Sequence, residues 1–486
     1  MSDPPSPTPG DPEPRSRPFL VLVGSHWLSL LGASLALAGL LCWLFLLPLQ
    51  MRGHTANPYI GILAFVIVPI LFVLGLALVP VGVFLARRRV RSRFEAEVVD
   101  RTAAYKRLAL VLGLTTLVNT VVGIQLTYRA VEHMETVQFC SSCHVMTPET
   151  RSHENAPHAQ IECVACHVAP GVGGWVESKK SGTRQLMEVA FNTYHRPIPS
   201  ALESNRLVPA DQTCEQCHWR ELPGSVRLRL ISKFAEDEAN TETQTVLSMI
   251  VGGGTRGGIH GSHLGPGVEI RYAAADAKRQ VIPWVEYKNS KGESRTYLAE
   301  KAKAEEVAGL PKYTMQCVDC HNRPTHAFDS PERAVDKALA GGRIASTLPF
   351  VKKKSVEVLK ASYASNEEAA QKIPAAIADF YKQEHGDVYG QRGADIEDAG
   401  RTVAAIYARN VFPDLKVAWG TYPNNIGHEA FPGCFRCHDE RPATPQGKTI
   451  TQDCAACHEA VAMDEASPEI LKTLGLTDRL AALKKK

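Results

Sequence analysis

A chain of 486 residues has room for two or three domains, and a formal net charge of +3 on 22% charged residues leaves no field of the kind that binds polyanions. No nucleic-acid partner is expected. The compositional outlier is cysteine, with 13 residues, twelve of them in one repeated pattern.

In chain order, the first 18 residues, MSDPPSPTPGDPEPRSRP, are rich in proline and acid and read as a disordered cytoplasmic tail. They lack the basic start, short apolar core and small-residue cleavage site of a secretion signal. Three apolar runs follow, 19–49, 57–86 and 108–127, each with at least the roughly 20 residues that cross about 30 Å of hydrocarbon. Buried core helices, the alternative, usually run to about 11–12 residues, so three transmembrane helices are expected. The loop expected at 87–107 carries Arg87, Arg88, Arg89, Arg91, Arg93, Arg101, Lys106 and Arg107, whereas the segment between the first two runs holds only Arg52. By the positive-inside rule the N-terminus and the Arg-rich loop are cytoplasmic and everything after Thr127 is outside, which predicts a bacterial inner-membrane protein with a periplasmic domain. His26, Cys42 and Asn119 lie within spans and read as packing or interhelical hydrogen bonding rather than cofactor ligation.

The exported half holds six copies of CxxCH. They are Cys140, Cys143 and His144; Cys163, Cys166 and His167; Cys214, Cys217 and His218; Cys317, Cys320 and His321; Cys434, Cys437 and His438; and Cys454, Cys457 and His458. Two thiols three positions apart can add to the two vinyl groups of one porphyrin, and the following histidine then reaches the iron from the proximal side. Zinc sites and disulfides also use CxxC, but neither requires a histidine after every pair. Chance would give about 0.01 CxxCH per chain of this composition, so six copies imply six covalently bound haem c groups. Export agrees with the orientation read from the arginines. The first motif begins only twelve residues after Tyr128, so its haem is expected at the membrane surface.

After the third motif comes an insertion, 219–312. Its glycine-rich VGGGTRGGIHGSHLGPG implies a loop of close backbone approach, and the segment after it reads as strands around a turn at Asn289 to Gly292. From 331 to 413 the pattern is helical, with a start at Ser330–Pro331 and a capping box at Ser365 and Glu368. The run Lys352 to Lys354 reads as a solvated helix face. Residues 414–486 form a C-terminal dihaem unit with a helical tail. The expected fold is mainly α: three transmembrane helices and an exported multihaem cytochrome c domain with extended loops and a small β insertion.

Each iron needs a sixth ligand unless it binds substrate. Beyond the proximal histidines, the exported half offers His133, His153, His158, His195, His260, His263, His326, His385 and His428, a surplus that favours bis-histidine ligation and low potentials.

The segments FCSSCHVM (139–146), SHENAPH (152–158), CVACHVAP (163–170), the pair Lys179 and Lys180, and MQCVDCHNRPTHAF (315–328) resemble, as a set, the NapC/NirT family of membrane-anchored quinol-oxidising cytochromes. The resemblance implies a tetrahaem module over 128–330. It also implies His326 as a distal ligand, Met146 as a ligand of the first haem, and a quinol pocket lined by Lys179 or Lys180 with Glu188. Three spans, the insertion and the dihaem extension depart from the usual family layout and look like the larger inner-membrane cytochromes of metal-respiring bacteria, the ImcH type. In that type a histidine is common shortly after the fifth motif. Here Arg441 and Pro442 stand there, leaving one C-terminal distal ligand open.

The function expected is quinol dehydrogenation: menaquinol or another quinol donates from the quinone pool in the membrane lipid, and a periplasmic cytochrome or reductase accepts, as in anaerobic respiration. Two alternatives stand beside it, a terminal oxyanion reductase using one open haem and a haem-bearing subunit of a larger respiratory complex. No CxxCK variant of the pentahaem nitrite reductases is present.

Overall fold

The structure, a computed structural model, describes residues 19–50, 67–92, 101–218, 226–255 and 257–477. The N-terminal tail, Arg52, Arg93, residues 57–66 of the expected second span and the closing LKKK lie outside the described residues. The contacts divide the chain into two units with their boundary between Met134 and Glu135.

The first unit is helical. Where one first span was expected, α1 (Phe19–Ser25) and α2 (Trp27–Gln50) meet at 104°. Hydroxyls cause the break: Ser25 Oγ donates to Leu22 O at 2.8 Å and Ser29 Oγ to Val23 O at 2.7 Å, capturing carbonyls that a continuous helix would use. His26 sits at the bend, its Nδ1 accepting from Leu28 N at 3.2 Å. The remaining helices are α3 (Val68–Ser92) and α4 (Arg101–Met134). Among the described residues two helices are long and apolar enough to cross a membrane, Val68–Arg88 and Arg101–Met134, or three if the bent pair is one span. The stretch 87–107, expected as a loop, is helical at both ends, because arginine is a good helix former and favours the negative C-terminal end of α3. Helices α2 and α3 approach through glycine: a Cβ on Gly75 would lie 2.5 Å from Ala36 N. The Cys42 thiol donates to Asn119 Oδ1 at 3.9 Å, the interhelical contact that polar residues in apolar helices are expected to make.

The second unit begins with short turns and the 20-residue helix α5 (Gly171–Ala190), then builds two antiparallel sheets. One has the order β1 (Val226–Phe234), β2 (Glu242–Ile250), β8 (His458–Glu465). The other has the order β6 (Lys312–Thr314), β3 (Glu269–Ala273), β4 (Trp284–Lys288), β5 (Ser294–Ala299), β7 (Pro442–Ala443). The expected turn joins β4 to β5: Asn289 Oδ1 accepts from Lys291 N and Glu293 N at 3.0 and 2.9 Å, and Gly292 takes φ 83°. The β content exceeds the small insertion expected, because each sheet takes its last strand from the C-terminal segment. Between β2 and β3 lies α6 (Gly258–Leu264).

Four helices pack a core of their own: α7 (Pro331–Ala340), α8 (Val351–Lys360), α9 (Asn366–Glu384) and α10 (Gly393–Asn410). Val335, Leu339, Leu359, Ile373, Ile377, Tyr381, Ile396 and Val403 are buried in it. Ser330 and Ser365 cap α7 and α9 by accepting from Arg333 N and Glu368 N. The lysine run corrects one expectation: Lys352 is buried, its Nζ donating to Asp336 Oδ1 at 2.5 Å and Glu332 O at 2.6 Å, and of the three only Lys353 is exposed. A three-residue run on a helix spreads over most of its circumference, so at least one member faces the core.

Candidate metal centres

Four of the motifs close as one tight turn. The histidine N–H donates to the carbonyl of the first cysteine in His167, His218, His321 and His438, at 3.0, 2.8, 2.8 and 3.1 Å, which puts both thiols and the imidazole on one side. In the sixth motif the turn is made by Cys457 N donating to Cys454 O at 3.1 Å. The first motif departs from the shared pattern at Cys143. Cys140 belongs to the short helix Val137–Ser141, which ends where Ser142 N donates to Phe139 O at 3.2 Å. Cys143 therefore falls outside that helix, in extended backbone at φ −95° and ψ 123°, and its carbonyl accepts from Met146 N at 2.9 Å to start the 3-10 turn His144–Met146. Equal CxxCH spacing thus does not give equal backbone, because the helix end intervenes between the two cysteines. None of the twelve motif cysteines pairs in a disulfide, and Cys143, Cys166, Cys217, Cys434 and Cys454 are exposed, where a porphyrin vinyl group can reach them.

Five of the six motif histidines face a second imidazole: His167 and His326 at 6.2 Å between ring centres, His218 and His158 at 6.0 Å, His321 and His260 at 6.1 Å, His438 and His263 at 5.7 Å, His458 and His428 at 6.2 Å. Two imidazoles bound through Nε2 on opposite sides of one metal, with bonds of about 2.0 Å, place their ring centres about 6 Å apart. The residues therefore fit a hexacoordinate haem iron. Second partners orient several rings. His326 Nδ1 donates to Glu149 O at 3.0 Å, His263 Nδ1 to Ile259 O at 2.7 Å and His438 Nδ1 to Thr451 O at 2.8 Å, each leaving Nε2 for a metal. His428 stacks on Phe435 at 4.3 Å. Burial lowers His167, His260, His263 and His321, and burial with the Arg323 guanidinium takes His326 down to about 4, so all five are the neutral form that ligates metal.

The other candidates part from the motifs. His153 is buried 6.2 Å from His326, but its Nε2 is bonded to Ile161 O at 3.1 Å. His385 packs among Phe350, Phe380 and Tyr381. His195 is exposed and, among the described residues, makes no ring contact with a motif histidine. His133 lies in the last turn of α4, in the first unit. The place left open after the fifth motif has a remote solution: His438 faces His263 of the insertion, and His458 faces His428.

The first motif also differs in what its histidine faces. The ring nearest His144 is Tyr194, at 6.2 Å, with its hydroxyl 3.3 Å from His144 Nε2. Arg196 stacks over Tyr194 at 4.0 Å, and Met146 packs into the same apolar cluster as Val145 and Tyr194. Neither Tyr194 nor Arg196 was visible from sequence, since one tyrosine beyond a helix carries no motif. The two lysines separate. Lys179 stands over Trp175 at 5.4 Å, close enough to Cys140 to act on it electrostatically. Lys180 turns to Glu177 at 3.6 Å and is well exposed. Glu188 pairs with Arg184 at 3.6 Å.

Consecutive motifs are neighbours. Cys163 lies within hydrogen-bonding distance of Cys140. Cys166 lies within electrostatic reach of Cys214 and Cys217, His321 of His218, Cys320 of Cys434, and Cys457 of Cys434.

The model of the NapC/NirT cytochrome c family, N-terminal region, matches residues 102–223. The cytochrome c-type protein ImcH of Geobacter sulfurreducens is 39% identical over 446 residues, covering 89% of this chain and 87% of that protein. This chain belongs to the NapC/NirT family of c-type cytochromes. The cytochrome c nitrite reductase subunit NrfH of Nitratidesulfovibrio vulgaris is 33% identical over 116 residues, 23% of this chain and 69% of NrfH. The cytochrome c-type protein TorC of Escherichia coli is 27% identical over 128 residues, 23% of this chain and 31% of TorC. No solved structure matches the chain. As a NapC/NirT cytochrome the chain is a membrane-anchored multihaem electron-transfer protein with covalently bound haem c, of a family that passes electrons between the quinol pool and periplasmic redox partners.

Proposed function

We propose that this NapC/NirT cytochrome carries one haem c on each of its six CxxCH motifs, oxidises menaquinol or a related quinol beside the first, and delivers the electrons to a periplasmic cytochrome or reductase. The observation that carries the reading is the contrast among motifs. His167, His218, His321, His438 and His458 each face an imidazole, an arrangement suited to relay, whereas His144 faces the phenol of Tyr194. On this reading His326, His158, His260, His263 and His428 are the distal ligands of motifs two to six, and Met146 with His144 serves the first, whose haem is held by Cys140 and Cys143.

Haem c, when attached, supplies a one-electron acceptor at each motif, so a quinol gives up its two electrons singly while its two protons leave. The protein's part is to bind the quinol and manage those protons. Val172, Trp175, Val176 and Met187 leave an exposed apolar stripe on α5, suited to a quinol ring and tail, and Lys179 rises from the same stripe toward Cys140. Its ammonium is placed to stabilise the quinol anion, whereas Glu188, nine residues further along α5, falls on the opposite side of the helix and pairs with Arg184, so it does not share that stripe. The arginines of 87–107 support a cytoplasmic N-terminus, an inner-membrane anchor and a periplasmic haem unit. The reductase alternative needs one open-coordinate haem, and the sequence left a ligand open in the C-terminal unit. Both motif histidines there face an imidazole, so no observation favours it.

The test is reduction of the purified haem-loaded protein by menaquinol. Lys179→Leu is expected to slow it by about 10²-fold, as loss of a charge-stabilising group does, while Lys180→Leu leaves it unchanged, both with the wild-type absorption spectrum. An unaltered rate in Lys179→Leu removes that lysine from the mechanism.

A further inference from the structure

The insertion between the third and fourth motifs has no CxxCH of its own, yet it supplies the imidazoles opposite two of them. Both stand on α6, a single helix of seven residues. His260 and His263 are three positions apart, so they occupy one face of that helix as neighbours. Their rings address different motifs: His260 faces His321 of the fourth at 6.1 Å, and His263 faces His438 of the fifth at 5.7 Å.

We propose that α6 is a two-iron clip, giving one distal ligand to the haem of the fourth motif and one to that of the fifth, so that the insertion forms the junction between the first four haem sites and the C-terminal pair. The inference rests on the bis-histidine reading of these motifs and adds that the two coordination spheres are set by one rigid element.

The surroundings are built for that task. His260 N donates to Val251 O at 2.8 Å, tying the helix to the end of β2, and His263 Nδ1 donates to Ile259 O at 2.7 Å, which aims its Nε2 outward. The helix is reached through a knot of glycines. Gly252 and Gly258 take φ of 63° and 67°, and a Cβ on Gly258 would lie 2.7 Å from Gly252 Cα. Only glycine fits both the left-handed backbone and the approach. On the other side the fifth motif is bonded to the fourth and to the insertion. Arg436, between Cys434 and Cys437, donates to Arg279 O at 2.8 Å and to Asp319 O at 2.7 Å, and Asp319 lies between Cys317 and Cys320. Strands β7 and β8 complete sheets that the insertion begins, with Met249 opposite His458. Helix and motifs are thus held from both sides, as a shared ligand element requires.

The test counts high-spin haems in the oxidised full-length protein by electron paramagnetic resonance and near-infrared magnetic circular dichroism. His260→Ala and His263→Ala are each expected to convert one haem from low to high spin, added imidazole restoring it, and the double variant to convert two. Gly258→Val keeps both histidines and acts only by displacing the helix. It is expected to convert the same two haems together and leave the others low-spin. Conversion of none, or of only one, by Gly258→Val overturns the clip, as does an unchanged spectrum in either histidine variant. Should Gly258→Val fail to fold, the histidine variants still decide. A wild-type spectrum without bis-histidine signals refutes the ligation reading, and the clip falls with it. A normal wild-type spectrum with unresponsive histidine variants refutes the clip and the assignment of His260 and His263, and leaves bis-histidine ligation and the relay reading standing.

Discussion

Replacing Arg279 by methionine tests whether the insertion and the fourth motif are welded by a buried ion pair. Arg279 Nη1 lies 2.9 Å from Asp319 Oδ1, with the side chains only 8% and 3% exposed. Removing one partner of such a pair costs about 3–5 kcal/mol, because the remaining charge stays buried and unpaired. Asp319 keeps donors in the Tyr272 hydroxyl and in Gln316 N at 2.8 Å, so the loss should fall near the lower end, about 3 kcal/mol. The assay is urea unfolding of the purified haem-loaded protein, followed by the low-spin absorption bands and compared with wild type. Arg279→Met paired with Asp319→Asn removes the stranded charge and should recover at least about 1 kcal/mol over Arg279→Met alone, a coupling that two independent sites would not give. A single variant within about 0.5 kcal/mol of wild type, the range of ordinary surface changes, would refute the welding argument.

Two further outcomes follow. The angle between opposed imidazole planes sets how strongly the iron d orbitals split, so His158–His218 at 82° should give the most anisotropic low-spin paramagnetic resonance signal and His428–His458 at 23° an ordinary rhombic one. His158→Met should abolish the first signal and His428→Met the second. In the helical segment, Lys352→Met strands Asp336 in a site where Lys352 is 3% exposed and should cost about 3 kcal/mol in denaturation, whereas Lys353→Ala should stay within about 0.5 kcal/mol. Neither substitution touches a motif, so the haem spectra should be unchanged in both. A spectral change would mean that this segment contributes to a haem site.

What was legible in the sequence was what local chemistry specifies. CxxCH closes a turn on its own hydrogen bond in the second to fifth motifs, Asn289 and Gly292 carry their turn in their side-chain and backbone preferences, and Ser330 and Ser365 cap helices wherever those helices pack. Even this local rule bends at the first motif, where the helix ending at Ser141 leaves Cys143 in extended backbone. What was not legible is tertiary. Arg441 and Pro442 stand just after the fifth motif, and the imidazole that its histidine faces, His263, belongs to the insertion more than 170 residues earlier. The surplus of histidines could not be sorted by spacing, because what separates His153 from His326 is tertiary: Ile161 O takes Nε2 of the first, whereas Glu149 O takes Nδ1 of the second, whose ring faces His167. Lys179 and Lys180 are adjacent in sequence, and the turn of α5 alone sends one toward Cys140 and the other to Glu177. The break at His26 was hidden in an unbroken apolar run because it depends on which carbonyls the Ser25 and Ser29 hydroxyls capture.

Long insertions in surface loops are usually tolerated, since closing a longer loop costs little more than closing a short one. That reasoning fails for 219–312. The strand β2 is the neighbour of β8, β5 is the neighbour of β7, and α6 faces two motifs, so removing the segment would take away two opposed imidazoles and strand both C-terminal edges at once. The same connections explain why consecutive motifs remain neighbours across an interruption of the chain: His218 stays within reach of His321, and Cys320 within reach of Cys434, because the insertion folds back over the fourth and fifth motifs instead of spacing them apart. On the proposed reading that continuity is the functional content of the insertion. Electron transfer falls steeply with separation, so a segment that doubled the distance between the third and fourth sites would stop the relay however well each site bound its haem.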